Sequence, residues 1–187
     1  MIRAGRPRFS RRGLRAAIWL LSRQASSSAF VRSAVIFGLI AVNIGIASTR
    51  WTLLIEVQAI TSIQGVSVMV LDRARHDIER GVVYAFDTPR AVLAVHPKRP
   101  TTAKIVAGLP GDEVVVTVEG ATVNGELVAD GLPLLEYLEL PASRFETRFV
   151  VPDGALFVVG TSPFSYDSRY WGTVPMSAGQ GRAWIIM

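Results

Sequence analysis

The chain has 187 residues, half of them apolar, with no cysteine, two histidines and a formal net charge of +5, which leaves room for one core-forming domain plus an appendage. A thiol protease is excluded, and two histidines are too few for a multi-histidine zinc site. A nucleic-acid-binding body is excluded by where the charge sits: eight arginines fall within residues 1–32, no Asp or Glu precedes Glu56, and from Ser33 onward 15 acidic residues outnumber 12 basic ones.

In chain order, residues 1–32 read as a basic tail, in which Ala16 to Leu21 (AAIWLL) fits either a segment lying along a membrane surface or an irregular tail. Ser33 to Ser48 (SAVIFGLIAVNIGIAS) follows, extended by a snorkelling Arg50 and an interfacial Trp51 toward the ~20 residues that a membrane crossing needs. The expectation is a transmembrane helix over 33–51. A secretory signal cleaved near Ala47-Ser48 and a buried core helix are the alternatives. Because arginine-rich flanks stay in the cytoplasm, residues 1–32 are expected inside and 52–187 outside, in the periplasm at a bacterial inner membrane. A chain without cysteine is compatible with that oxidising compartment.

The body reads as mainly β. Val66 to Leu71, Val82 to Phe86, Val92 to Val95, Lys104 to Ala107 and Glu113 to Val118 are short β-branched or apolar runs bounded by Gly, Pro and Asp, and are expected as strands. Asn124-Gly125 marks a hairpin, and Pro152-Asp153-Gly154 marks a turn between Phe149 to Val151 and Leu156 to Val159. Leu132 to Leu140 fits a short helix or a loop. Strands this frequent, without alternating helices, predict an antiparallel sheet that folds over or closes like a barrel.

The chemistry narrows to lysine and serine. His76 and His96 stand beside loop-forming residues, and neither lies in a pattern that supports a Ser-His-Asp triad. Of the two lysines, Lys98 sits in the polar segment His96 to Pro100, whereas Lys104 opens the apolar run KIVAG. A lysine in a buried strand is costly unless it is neutral or paired, and a neutral amine is a general base. A lysine at an exposed strand edge is the other reading of the same residue.

KIVAGLPGD over Lys104 to Asp112 resembles the lysine box of type I signal peptidases, and SYDSRYWGTVP over Ser165 to Pro175 resembles that family's closing box. Between them, Val123 to Glu126 and Val151 to Gly154 are similar to the family's VNGE hairpin and VPxG turn, and Arg80 to Phe86 resembles its RGDxVxF strand with Val82 in place of Asp. The short domain and the last box, with Gly160-Thr161-Ser162-Pro163 where the housekeeping enzymes carry Gly-Asp-Asn, look most like the conjugative-transfer, TraF-like branch that matures pilin precursors. The resemblance implies a membrane-bound endopeptidase with Ser62 as nucleophile, in the segment Thr61 to Gly65 where Gln64 replaces the usual proline, and Lys104 as base. Ser67 competes with Ser62 for the first role.

It further implies that the Ser62 amide and the Thr61 hydroxyl hold the oxyanion, that Ser165 orients the lysine, and that Asp167 and Arg169 form a supporting charge pair. An extended substrate would add beside Val66 to Leu71, with Val66 and Val68 against small residues preceding the cut. The partners are then membrane-bound precursors and the lipid bilayer, with no nucleic acid, no metal and no organic cofactor. Two other readings stay open: a β-domain of a secretion or pilus apparatus that binds leaders without cleaving them, and an autoprotease resembling the LexA type.

Overall fold

The computed structural model describes residues 11–56, 61–95 and 101–187, and within these the side chains of all but 11–27, 91, 94 and 95. Ile60, His96 and Lys98 lie outside the described residues, as do the side chains of 16–21. The chain divides into two units, Met1–Ser48 and Thr49–Met187.

The described part of the first unit, residues 11–48, belongs to helix α1 (Arg11–Arg50). Its stretch Ser28–Arg50 has 23 residues and mean hydropathy 2.0. At 1.5 Å per residue, 23 residues reach across the ~30 Å hydrocarbon core of a bilayer. The helix is apolar from ahead of the expected Ser33, because Ala29, Phe30 and Val31 continue the run on the near side of Arg32. The buried-core alternative does not fit, since the described side chains of this stretch are exposed.

The second unit carries strands β1 (Trp51–Ile55), β2 (Val68–Asp72), β3 (Val83–Asp87), β4 (Thr101–Gly108), β5 (Glu113–Thr117), β6 (Gly120–Val123), β7 (Glu126–Asp130), β8 (Thr147–Val150), β9 (Ala155–Val159), β10 (Val174–Pro175) and β11 (Gly179–Ile185). Short helices α2 (Arg90–Val95), α3 (Leu135–Leu138) and α4 (Ser168–Trp171) interrupt them. Seven strands form one sheet in the order β1-β2-β11-β3-β4-β9-β10, and four form a second in the order β7-β6-β5-β8. Neighbours run antiparallel throughout. The expectation of a mainly β, antiparallel, folded-over domain is met.

One local expectation changes, one open reading closes, and two strands appear that no expectation covered. Val92 to Val95 is helical, not extended: Pro89 sits at the helix start and its carbonyl accepts from the amides of Val92 and Leu93, a position where the fixed φ of proline favours a helix. Four apolar residues have too little periodicity to separate the two states. Leu132 to Leu140 resolves into a loop around α3. Strands β1 and β11 were missed, β1 because WTLLI continues the apolar character of the preceding helix and β11 because two glycines and an arginine break its pattern.

Side-chain alternation on β3 and β4 feeds two cores. Val83, Ala85, Ala103 and Ile105 pack with Ile63, Met69 and Leu71 on one face. Tyr84, Phe86 and Val106 pack with Leu156, Val158 and Val174 on the other. A third core, around Val114, Val116, Phe157 and Val159, lies where the two sheets meet. Fully burying such side chains stabilises by about 1.5–3 kcal/mol each.

The turn Leu109 to Asp112 carries the chain from the first sheet into the second, and Asp112 fastens it. Its carboxylate accepts from the Leu109 amide at 2.6 Å, from Asn124 Nδ2 at 2.9 Å and from the Arg80 guanidinium. Burial pushes the Asp112 carboxyl up, but the hydrogen bonds from Arg80, Leu109 and Asn124 outweigh it and leave the pKa lowered. Asn124 and Gly125 take φ of 52° and 85°, the pair of positive values that a tight hairpin turn requires.

Candidate active site

Lys104 lies in the middle of β4, in register with Tyr84 of β3, so its side chain leaves the sheet on the Tyr84 face. It is 2% exposed. A primary amine this buried must be hydrogen-bonded, and Lys104 Nζ donates to Ser165 Oγ at 2.6 Å.

Gly160 explains how that hydroxyl gets there. The β4–β9 ladder ends with Ile105 opposite Val159, which brings Gly160 level with Lys104. A Cβ on Gly160 would collide with the Ser165 side chain and with the Ser62 carbonyl oxygen. The missing side chain is therefore what lets three segments close in: β4 with Lys104, the loop with Ser165, and the turn with Ser62. Gly160 does this without a positive φ, so its role is one of space and not of backbone conformation.

The loop after Gly160 is held tightly. The Ser165 amide donates to the Ser162 carbonyl at 3.0 Å, and the Ser165 carbonyl accepts from Arg169 Nη2 at 3.2 Å. Asp167 caps α4 by accepting from the Arg169 amide, and also accepts from the Gly160 amide at 3.0 Å and from Arg169 Nε and Nη2 at 2.9 and 3.0 Å. Arg169 Nη1 donates to the carbonyls of Asp130 and Gly131 at 2.5 and 3.0 Å, which ties this loop to the end of β7 in the second sheet. Asp167 and Arg169 are 0% and 2% exposed. With most of their polar positions filled, the pair is a rigid buried frame instead of an uncompensated charge.

Ser62 is partly buried in a turn. Its carbonyl accepts from the Ser162 amide at 3.2 Å, the Gln64 amide donates to Thr161 Oγ1 at 2.8 Å, and the Val66 amide donates to the Ile63 carbonyl at 3.2 Å. Ile63 anchors the turn by burying its side chain against Met69 and Ala103. The residues that pin the Ser62 backbone are thus Gly160, Thr161 and Ser162, which sequence reasoning did not single out as site residues. The signal was the glycine directly after the buried run LFVV.

Other expected positions fall differently. Ser67 is exposed, with its amide on the Met187 carbonyl and its carbonyl on the Glu56 amide, so its backbone is fixed among the chain end and β1, while the Ser62 backbone is fixed at Gly160. The Thr61 hydroxyl donates to the Ile63 carbonyl at 2.7 Å. A hydroxyl has one proton, so the oxyanion role expected of Thr61 finds that proton already engaged. Strand addition beside Val66 to Leu71 must be corrected: β2 has β1 on one side and β11 on the other, the amides of Ser67 and Val68 donate to the Met187 carbonyl, and Val66 is buried in the core. A strand paired on both sides has no edge to offer a peptide. His76 is exposed, with Nδ1 3.3 Å from the Tyr84 hydroxyl. Among the described residues no group of His, Cys, Asp or Glu is arranged to hold a metal ion.

Comparison with known proteins bears on what this arrangement belongs to. The chain is 34% identical over 110 residues to a protein named "Probable signal peptidase I-2" from Synechocystis sp., covering 58% of this chain and 48% of that one. It is 34% identical over 107 residues to signal peptidase I of Leptolyngbya laminosa, covering 56% and 50%. The chain thus spans about half the length of these relatives. A crystal structure of a signal peptidase I from Enterococcus faecalis V583 aligns with a TM-score of 0.38 and 23% identity, over 59% of this chain and 97% of that one. Residues 21–187 match the family described as signal peptidase, peptidase S26. That match takes in the described strands, Lys104, Ser165 and Ser62 together, and the chain belongs to the signal peptidase family, peptidase S26.

Proposed function

We propose that this protein is a membrane-anchored serine endopeptidase that removes leader peptides from exported precursors, with Ser62 as nucleophile and Lys104 as general base. The observation that carries the reading is the buried Lys104 amine, 2.6 Å from Ser165 Oγ, beside the glycine on which the Ser62 backbone also rests. Family membership supports the peptidase activity.

In the reaction the neutral Lys104 amine takes the Ser62 hydroxyl proton as the oxygen attacks the carbonyl of the leader's last residue. The tetrahedral oxyanion is held by the Ser62 amide. Lys104 then passes the proton to the departing amine of the mature protein, and the leader stays esterified to Ser62 until water, deprotonated by the same lysine, releases it. Ser165 acts through Lys104, as the acceptor that aims its amine. Asp167 and Arg169 keep Ser165 in place.

Within the apolar stretch Ser28–Arg50, residues 33–50 anchor the enzyme, with the arginine-rich residues 1–32 in the cytoplasm and the body on the periplasmic side of the inner membrane. Since the precursor is held in the same bilayer by its leader, confinement replaces tight binding. The GTSP segment at Gly160 supports substrates of the conjugative-transfer kind, pilin precursors with small residues before the cut. The test is processing of such a precursor by membranes containing the Ser62→Ala, Lys104→Ala or Ser67→Ala protein. Loss in the first two and retention in the third is expected; normal processing by Ser62→Ala or Lys104→Ala would refute the assignment of that residue.

A further inference from the structure

Residues 160–163 (Gly-Thr-Ser-Pro) pin the turn that carries Ser62, and one of them keeps a group that this pinning does not use. The Ser162 amide donates to the Ser62 carbonyl at 3.2 Å, and the Ser162 carbonyl accepts from the Ser165 amide at 3.0 Å. Its main chain therefore touches both the turn with Ser62 and the loop that aims Lys104. Its hydroxyl makes no hydrogen bond among the described residues, although Ser162 is only 6% exposed. Buried hydroxyls in folded proteins nearly always have a partner. Among the described residues, Trp171 Nε1 is the side-chain polar atom sealed from solvent without one, so the Ser162 oxygen is not sealed: it opens on accessible space. The neighbouring hydroxyls are committed. Thr61 donates to the Ile63 carbonyl at 2.7 Å, Ser165 accepts from Lys104 Nζ at 2.6 Å, and the exposed Thr161 accepts from the Gln64 amide at 2.8 Å.

We propose that the Ser162 hydroxyl is the second donor to the oxyanion, beside the Ser62 amide, in the role first expected of Thr61. The proposal rests on the peptidase reading of Ser62 and Lys104. When Ser62 Oγ bonds to the scissile carbonyl carbon, its proton passes to Lys104 and the π pair of the carbonyl moves onto the carbonyl oxygen, which then carries one negative charge. One amide meets that charge from one direction only, and a hydroxyl supplies a second bond to it. Ser162 is suited to this by position, by its free proton and by burial. Its amide rests on the Ser62 carbonyl, so its hydroxyl lies within one side-chain length of the Ser62 backbone. Turning its proton to the oxyanion breaks no existing bond, whereas Thr61 would have to release Ile63. Burial keeps water sparse around it, where a hydrogen bond to a charge is stronger.

The test uses the full chain in detergent micelles with a synthetic junction peptide as substrate and, as inhibitor, the C-terminal aldehyde of its leader half, which adds reversibly to the serine as a tetrahedral adduct. Ser162→Ala removes the hydroxyl and keeps the amide that holds Ser62. A fall of about a hundredfold in kcat is expected, with KM within about twofold. Inhibition by the aldehyde should weaken by a like factor, because the adduct carries the same oxygen. The pH at half-maximal kcat should stay where it is, since Lys104 keeps Ser165. Thr61→Val should cost less in kcat and in aldehyde inhibition than Ser162→Ala. A kcat loss below about threefold, a loss carried by KM alone, or a larger effect of Thr61→Val overturns the assignment. So does a shift of the pH midpoint, which makes Ser162 a residue acting through Lys104. Ser62→Ala in the same assays separates the two claims: cleavage at the normal rate there overturns the peptidase reading and the oxyanion donor with it, whereas loss of cleavage beside a fully active Ser162→Ala overturns the donor alone.

Discussion

The two sides of the candidate site are built differently. Lys104 issues from a central strand and meets Ser165 in a loop frozen by the Asp167–Arg169 pair, with all four residues at most 2% exposed. Ser62 sits in a partly buried turn tied to the rest mainly by backbone hydrogen bonds to Thr161 and Ser162. In the roles proposed for Lys104 and Ser62, the difference follows from what each group does. A general-base amine needs a dry, fixed place, because water and mobility favour its charged form. A nucleophile must be reached by the substrate, so it is placed by its main chain and left accessible.

Cutting the frame on the base side has the largest expected effect. Arg169→Ala leaves the Asp167 carboxylate buried without its partner, and a loss of about 3–5 kcal/mol in unfolding free energy is expected. Chemical denaturation of the purified protein measures it, and a loss under ~1 kcal/mol, the scale of an exposed ion pair, would show that the frame is not a buried pair. Gly160→Ala acts where the two sides meet. Its Cβ displaces Ser165 and the Ser62 carbonyl, so kcat should fall about a hundredfold, the scale of a 1 Å misplacement. A folded, fully active variant would dissolve the shared glycine as an organising element.

Ser165→Ala removes the acceptor from Lys104 and nothing from the Ser62 turn. A fall of about tenfold to a hundredfold in kcat with KM unchanged is expected, the pattern of an interaction used only in the reaction. An effect confined to KM would place Ser165 in substrate binding. Thr161→Val removes one hydrogen bond from the nucleophile side, that of the Gln64 amide, and should cost about 1 kcal/mol or less of stability. Parity of this loss with the Arg169→Ala loss would end the contrast.

The smallest effect lies outside the site. Asp112 is ionised in the folded protein at pH values where the unfolded carboxyl, near 3.8, is protonated. Its contribution is complete above that value and is lost as pH falls through the lower folded-state pKa. Arg80→Ala, which removes one of the groups holding the Asp112 pKa down, should move the acid-unfolding midpoint upward, readable by circular dichroism against pH. An unchanged midpoint would take the Arg80–Asp112 pair out of the account of acid stability.

Much of this was legible without coordinates because it depends on local patterns. The basic tail followed by an apolar run, the strand at Lys104, the tight turn at Asn124-Gly125 and the order of the two boxes are readable from composition, alternation and turn chemistry. The short helix at Val92 and the strands β1 and β11 were not, since four apolar residues, a strand continuing a helix, and a strand broken by glycines carry weak periodicity.

What the chain's own order determined was which residues are costly to bury, Lys104 above all, and where backbone must turn. Tertiary structure alone decided who meets them. Pairing β2 on both sides closed it to the addition of another strand, and ending the β4–β9 ladder at Val159 brought Gly160 beside Lys104. Contacts between residues that lie 61 positions apart, as Lys104 and Ser165 do, depend on register and strand order. No local propensity encodes those, because they are fixed only when the cores on both faces of the sheet pack at once.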